Sequence, residues 1–299
     1  MTQTATRPDL AADGYGQAAR ITRDHGTTYY WGTLLLPPER RRHVYAVYAL
    51  CRLADDIDDA PDATAPLRVA QTAADLEAFR SRVASAVAGD PAGDPVLAAI
   101  ADSLNRCAIP EENVERFFGA MAQDLTQTTY ETWGDLVAYM EGSAAVIGEM
   151  MLPVLKPLSP EAFEPARALG FAFQLTNFLR DIGEDLERGR VYVPQEDLRR
   201  FGADPWARRV TPEWRELMRY QIARNRELYA QADRGIPLLP RSSARCVATA
   251  RELYARILGL IEGADYDVFT GRVRVASWSK AVTSARILAA GPPRRRVAS

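Results

Sequence analysis

The chain has 299 residues, 37 basic against 39 acidic, and a formal net charge of −2. That is long enough to bury a substantial core and too evenly charged for a nucleic-acid binder, whose footprint is strongly basic. Three cysteines without paired spacing (Cys51, Cys107, Cys246) and two histidines (His25, His43) leave almost no material for a disulfide framework, a zinc site or a Ser-His-Asp triad. The N-terminus lacks a basic region followed by an apolar run, and no apolar stretch reaches the length of a membrane span. The expectation is a cytoplasmic protein, at most peripheral on a membrane surface.

In chain order, residues 1–13 read as a disordered leader, 14–291 as one domain and 292–299 as a basic tail. Pro38 stands where a first-turn proline belongs, ahead of ERRRHVYAVYALCRLADD. Helical patterns follow at 66–87, 94–107, 111–123, 133–155, 160–187, 211–234, 243–262 and 275–290. Ser159-Pro160-Glu161 and Thr211-Pro212-Glu213 supply a capping hydroxyl, a proline and an acid at two of the starts. The one strand candidate is Val191-Tyr192-Val193. The fold class is therefore all-α, a single domain of eight to ten helices.

Two acidic helix ends stand out. LCRLADDIDDAPD (50–62) places Asp55, Asp56, Asp58 and Asp59 within five positions. Helical spacing puts Tyr48, Arg52, Asp55 and Asp59 on one stripe with Asp56 beside it, whereas Asp58 points off it and is expected to matter little. Acids at a helix C-terminus oppose the macrodipole at about 0.3–1 kcal/mol each. Two carboxylates about 6 Å apart add about 2–3 kcal/mol of repulsion if the effective dielectric is near 20. A solvated helix end is the bland explanation of such a run. The second helix, FAFQLTNFLRDIGEDLERGRVYVPQEDL (171–198), shifts the balance. Gln174 and then Asn177, Asp181 and Asp185 recur along one face, with Arg180 among them. Facing oxygen-only sets of this kind suit a hard divalent ion completed by a substrate phosphate, and an EF-hand is excluded by the spacing. Arg52, Arg180, Arg188 and Arg190 could then contact a diphosphate leaving group. Tyr45, Tyr48, Tyr139, Phe171, Phe173 and Phe178 would serve as apolar lining or as plain core.

The motifs YAVYALCRLADDIDD and GFAFQLTNFLRDIGEDLERGRVYVP resemble the two signatures of the squalene/phytoene synthase family, and the likeness runs over about residues 15–290. HGTTYYWGTLLLPPERRRHVYAVYA and IEGADYDVFTGRVRV resemble the corresponding segments of its phytoene synthase branch. The resemblance implies an isoprenoid-synthase-type helical bundle around a central cavity. It implies Mg²⁺, with Mn²⁺ as substitute, held by Asp55, Asp59, Asn177, Asp181 and Asp185, with Asp56 in the same motif. It also implies diphosphate contacts from Tyr48, Arg52, Arg180, Arg190 and Tyr192, Tyr139 near the reacting chains, and Gln174 as a polar lining residue. Gly26 stands where some relatives have serine. The small residues Gly142, Ser143, Ala144, Ala145 and Gly148 read equally as room beside the cavity and as close helix packing.

The implied reaction condenses two isoprenyl diphosphates head to head, without NADPH and without a nucleic-acid partner. Rival readings are a squalene or dehydrosqualene synthase acting on farnesyl diphosphate and, from another class, a non-catalytic assembly factor on the same fold. Replacing Asp55 or Asp59 by Asn is expected to nearly abolish turnover while leaving the fold intact or slightly more stable. Turnover and thermal unfolding measured on both variants check this, and full activity in Asp59→Asn would remove that ligand.

Overall fold

The computed structural model describes residues 7–58 and 68–291. Asp59, the acidic loop after it and the basic tail lie outside the described residues. Among the described residues thirteen α-helices follow one another: α1 (Arg7–His25), α2 (Thr27–Thr33), α3 (Pro38–Asp58), α4 (Val69–Val87), α5 (Pro95–Arg106), α6 (Glu111–Asp124), α7 (Trp133–Met140), α8 (Val146–Leu155), α9 (Phe163–Glu187), α10 (Gln195–Phe201), α11 (Pro212–Ala232), α12 (Arg241–Gly263) and α13 (Ser277–Ala290). Local chemistry sets several of the starts. Asp94 accepts from the amides of Val96 and Leu97 at 2.9 and 3.2 Å, ahead of Pro95. Thr132 and Asp135 form a reciprocal capping box at α7. Thr211 caps α11 through the Trp214 amide at 3.2 Å.

Two expectations need correction. Residues 7–13, assigned to a disordered leader, belong to α1. With two glycines and few large apolar residues this helix has weak periodicity, and its order comes from tertiary packing. Gly14 lies so close to α5 that a Cβ there would fall 1.8 Å from the Pro95 carbonyl oxygen. Val191-Tyr192-Val193 is not a strand but an extended strap. Val191 forms an isolated parallel bridge with Thr129, the Val191 amide donating to the Thr128 carbonyl at 2.8 Å.

The long α9 divides the interior. On one side Phe178 joins a core built from α3 to α8. On the other, Leu175, Leu179 and Ile182 join a core with Trp214 and Leu217 of α11 and Leu253 of α12. A π-helical turn, Glu141–Ala145, joins α7 to α8. The neighbouring small residues serve close packing: a Cβ on Gly170 would sit 2.3 Å from the Ala144 carbonyl oxygen, and one on Gly148 would sit 2.3 Å from that of Ala166. Buried Glu149 fastens this contact, held by Arg116 at 2.7 Å and by Arg167, while Arg167 also reaches Glu141 at 2.6 Å.

His43, on α3, shows how α1 is tied down. Its Nδ1 lies 2.9 Å from Ser103 Oγ and 3.0 Å from the Tyr15 hydroxyl, which itself donates to Asp102 at 2.8 Å. Burial, reinforced by the Arg42 charge, lowers the His43 pKa from 6.5. The unfolded chain therefore binds the proton more readily, and stability gained above about pH 6.5 is lost as the pH falls through the folded-state value. Urea unfolding between pH 5 and 8 is expected to show this acid loss, and His43→Gln to flatten it.

Candidate active site

α3 and α9 face each other across a cavity of about 1000 Å³, at the upper end of the range for small-molecule sites, about 300–1,000 Å³. α3 contributes Val44, Tyr48, Asp55 and the adjacent pair Cys51 and Arg52, spaced one turn at a time and so on one face. α9 contributes Leu169, Phe173, Gln174, Asn177 and Arg180 by the same rule. The two helices meet the cavity with the same gradient: apolar towards their beginnings, oxygen- and guanidinium-bearing towards their ends.

The apolar portion is partly aromatic. Phe173 and Tyr254 lie 4.5 Å apart between ring centroids, Tyr29 and Tyr254 4.9 Å, and Tyr29 and Tyr48 5.9 Å. Burial raises the Tyr29 and Tyr48 hydroxyl pKa values, so both stay neutral. Gly26 makes room for this arrangement, because a Cβ there would come within 2.6 Å of the Tyr48 ring. Tyr45, Tyr139 and Phe178, expected as lining or core, are core residues. Tyr29 and Tyr254 were missed by the sequence reading. Tyr29 had a signal, since it lies inside the HGTTYYWGT segment.

The polar end is dominated by charge pairing. Arg180 grips Asp181 with two bonds of 2.7 and 2.6 Å, and Arg272, from the segment before α13, reaches the same carboxylate at 2.8 and 2.9 Å. Arg52 pairs with the exposed Asp56. Lys280 of α13 reaches in to donate to Thr27 at 2.6 Å, and burial lowers its pKa. Arg272 and Lys280 were also missed, because nothing in their local sequence tells that they fold back onto the cavity.

Behind this wall lies a second charge cluster. Asp58 does point off the stripe, but it is 6% exposed and accepts from Arg190 at 3.1 and 3.2 Å. Arg190, itself 3% exposed, also pairs with Asp124 at 3.2 Å, and the Tyr192 hydroxyl donates to Asp124 at 2.8 Å. Arg190 and Tyr192, expected to touch diphosphate, are paired here with two buried carboxylates and are not among the residues lining this cavity. Tyr139 packs in the same place, stacked with Tyr192 at 6.1 Å and Phe178 at 6.4 Å, rather than at the cavity surface. Asp124 was not foreseen. Its burial raises its pKa while the Arg190 charge and the Tyr192 hydroxyl pull it back.

The residues present fit a hard cation. Asn177 Oδ1 is buried without a hydrogen-bond partner at the cavity wall. Asp185, two turns further along the ladder, is buried enough that desolvation, followed by repulsion from Asp181, raises its pKa well above the usual range. An unpartnered amide oxygen and a carboxylate under a desolvation penalty are what a divalent ion with oxygen preference would relieve. No preformed group of three or more His, Cys, Asp or Glu side chains stands ready among the described residues, consistent with Asp181 being taken up by arginine.

This arrangement, helices around a largely apolar cavity with Asp55 and Asn177 on its wall, defines an isoprenoid-synthase-type fold. The profile of the squalene/phytoene synthase family matches residues 22–279, and the chain belongs to that family. It is 36% identical to phytoene synthase of Arthrospira platensis, over 91% of this chain and 92% of that protein. It is 35% identical to 15-cis-phytoene synthase of Synechococcus elongatus, over 90% of each. The crystal structure of a squalene synthase from Alicyclobacillus acidocaldarius superposes with a TM-score of 0.75 at 32% identity, covering 85% of this chain and 95% of that one. A ligand-bound dehydrosqualene synthase shares the fold at a TM-score of 0.84 and 24% identity, over 95% and 99%.

The buried cluster makes Arg190 a structural necessity. Replacing it by Gln or Met takes the guanidinium from between Asp58 of α3 and Asp124, a loss of about 3–5 kcal/mol where a buried pair is broken. Both variants are expected to shift the urea midpoint down by a comparable amount, and Asp56→Asn, exposed on the same helix, to leave it within experimental error.

Proposed function

We propose that this chain joins two molecules of geranylgeranyl diphosphate head to head, through prephytoene diphosphate, and releases phytoene. The observation carrying the proposal is an aromatic cavity with Asp55 and Asn177 on its wall, Asp181 held beside it by the lining residues Arg180 and Arg272, in a chain whose phytoene synthase relatives match over nine-tenths of its length.

In this reading Asp55 and Asp59 of the first motif and Asn177, Asp181 and Asp185 of the second hold Mg²⁺, for which Mn²⁺ substitutes. Such an ion neutralises diphosphate charge and makes it a better leaving group. Arg52 and Arg180 line the cavity where they can hold diphosphate oxygens. Gln174 lies on the same face, one turn towards the apolar part.

The donor substrate loses diphosphate by C–O cleavage and becomes an allylic cation. The acceptor's double bond attacks it, and loss of a proton closes the cyclopropane of prephytoene diphosphate. A second C–O cleavage, rearrangement and proton loss give phytoene and a second diphosphate. Throughout, the chain's own contribution is to align the two tails, to present the faces of Tyr29, Tyr48, Phe173 and Tyr254 to positive charge, and to keep water away. Because the last step expels a proton, no hydride donor takes part.

A shorter substrate is the second reading, favoured by the 32% identity to a squalene synthase of known structure. Among the described residues no helix is long and apolar enough to cross a membrane. We propose a cytoplasmic enzyme meeting the bilayer peripherally, since its substrate is amphiphilic and its product nearly insoluble in water. Incubation with labelled farnesyl and geranylgeranyl diphosphates, each with and without NADPH, is expected to give phytoene from the longer substrate in the presence of Mg²⁺, unchanged by NADPH. Squalene formed only with NADPH would overturn the reaction proposed, and dehydrosqualene as the preferred product would overturn the chain length.

A further inference from the structure

α13 is built the wrong way round for a surface helix. An ordinary amphipathic helix turns its apolar stripe to the core and its polar face to water. Here the side facing the protein carries Ser279, Lys280, Thr283 and Ser284, exposed by 5, 8, 2 and 7%, with Ile287 as the apolar contact at 0%. The side facing out carries Trp278 at 72%, Val282 at 58% and Leu288 at 51%, with the exposed Ala285 and Ala289 between them. Trp278, Val282, Ala285 and Ala289 are spaced by four, three and four residues, so they form one continuous stripe along the helix.

The inward polar groups have reasons to be there. Lys280 donates to Thr27 at the cavity wall at 2.6 Å, the Ser284 hydroxyl donates to the Lys280 carbonyl at 3.0 Å, and Ser279 is bonded to Arg256. Among the described residues, none covers the outward stripe, and Trp278 is the most exposed of the large hydrophobic residues.

We infer that the outer face of α13 is a membrane-docking surface, which seats the enzyme on an anionic bilayer with Trp278 and Val282 in the interfacial layer. The inference deepens the peripheral location proposed above and rests on it. Three observations select lipid over a second copy of the chain. The stripe is narrow: a helix of 14 residues is about 21 Å long and about 10 Å wide, a footprint well below the roughly 800 Å² per partner of a standard protein interface. Its composition, a tryptophan and aliphatic residues next to basic sequence, is that of helices lying in a lipid interface. The chain continues from α13 into Arg294, Arg295 and Arg296, charges that favour anionic headgroups and disfavour a copy of themselves. The opposite side of the same helix borders the cavity through Ser277 and Lys280, so docking would bring the lipid phase within one helix width of the space proposed for the apolar tails.

The test is flotation with vesicles of phosphatidylcholine and phosphatidylglycerol at low salt, beside turnover of geranylgeranyl diphosphate dispersed in detergent. Wild-type protein is expected to float. The double variant Trp278→Ser/Val282→Ser is expected to float at least tenfold less while turning over detergent-dispersed substrate at the wild-type rate. Quenching of tryptophan fluorescence by brominated lipid is expected to fall in Trp278→Phe although that variant still floats. Wild-type flotation by the double variant, or no flotation by the wild type, would overturn the inference. So would a dimer in light scattering that the double variant converts to monomer, since the stripe would then be an interface between copies. Lack of turnover by both proteins in detergent, with the flotation difference intact, would count against the proposed reaction and leave the docking surface supported.

Discussion

Carboxylates cannot be gathered at helix ends without something to hold them, and in this protein that something is arginine. The carbonyl dipoles at the ends of α3 and α9 repel each acid, and the acids repel one another. Arg180 and Arg272 converge on Asp181, Arg190 bridges Asp58 and Asp124, and Arg52 closes on Asp56. The same solution recurs away from the cavity, where Arg116 and Arg167 hold Glu149. Guanidinium suits the task because its fork matches a carboxylate and its weak hydration lowers the cost of burial. Two kinds of arginine result. Some are buried beyond exchange and fix helix against helix, whereas Arg272, a third exposed, sits where an incoming polyanion could compete for it.

That division explains why the two acidic helices can be adjacent at all. Arg190 reaches from the strap after α9 to the last residues of both α3 and α6. The strap is in turn held by the Val191 bridge to Thr129 and by the Tyr192 bond to Asp124. Three helix ends that would otherwise splay are thereby gathered at one point behind the cavity. The oxygen-bearing face of α9 is left to the front, where Asn177 looks into the cavity.

Much of this was legible in the sequence and some was not, for identifiable reasons. Helical periodicity placed Tyr48, Arg52 and Asp55 on one face and Gln174, Asn177 and Asp181 on another, and the caps at Ser159 and Thr211 fell where proline and acid announced them. Periodicity assigns faces, however, and says nothing of depth. It turned Asp58 away from the stripe correctly and could not tell that a buried guanidinium 132 residues later would meet it. The RGRVYVP strap was conspicuous, yet its second arginine and its tyrosine proved to face the interior. Asp124 carried a clue that went unread: an acid closing an amphipathic helix just before Leu125, the same anomaly as DDIDD. α1 failed for the opposite reason, because its few large apolar residues gave no pattern and its order is imposed by α5.

The π-helical turn between α7 and α8 gives the cavity an unusual kind of adjustability. A π turn is in effect an α-helix with one residue too many, and here the surplus lies beneath α9, pressed against Gly170 and clamped by Arg167 through Glu141. Losing that residue would restore α register and rotate everything before it by about 100° relative to α8. Tyr139 precedes the turn, whereas Gly148, Met151 and Leu155, which line the cavity, come after it. A single-codon deletion or insertion, rather than any substitution, is thus the smallest genetic step that would re-index these lining residues of α8 against Tyr139.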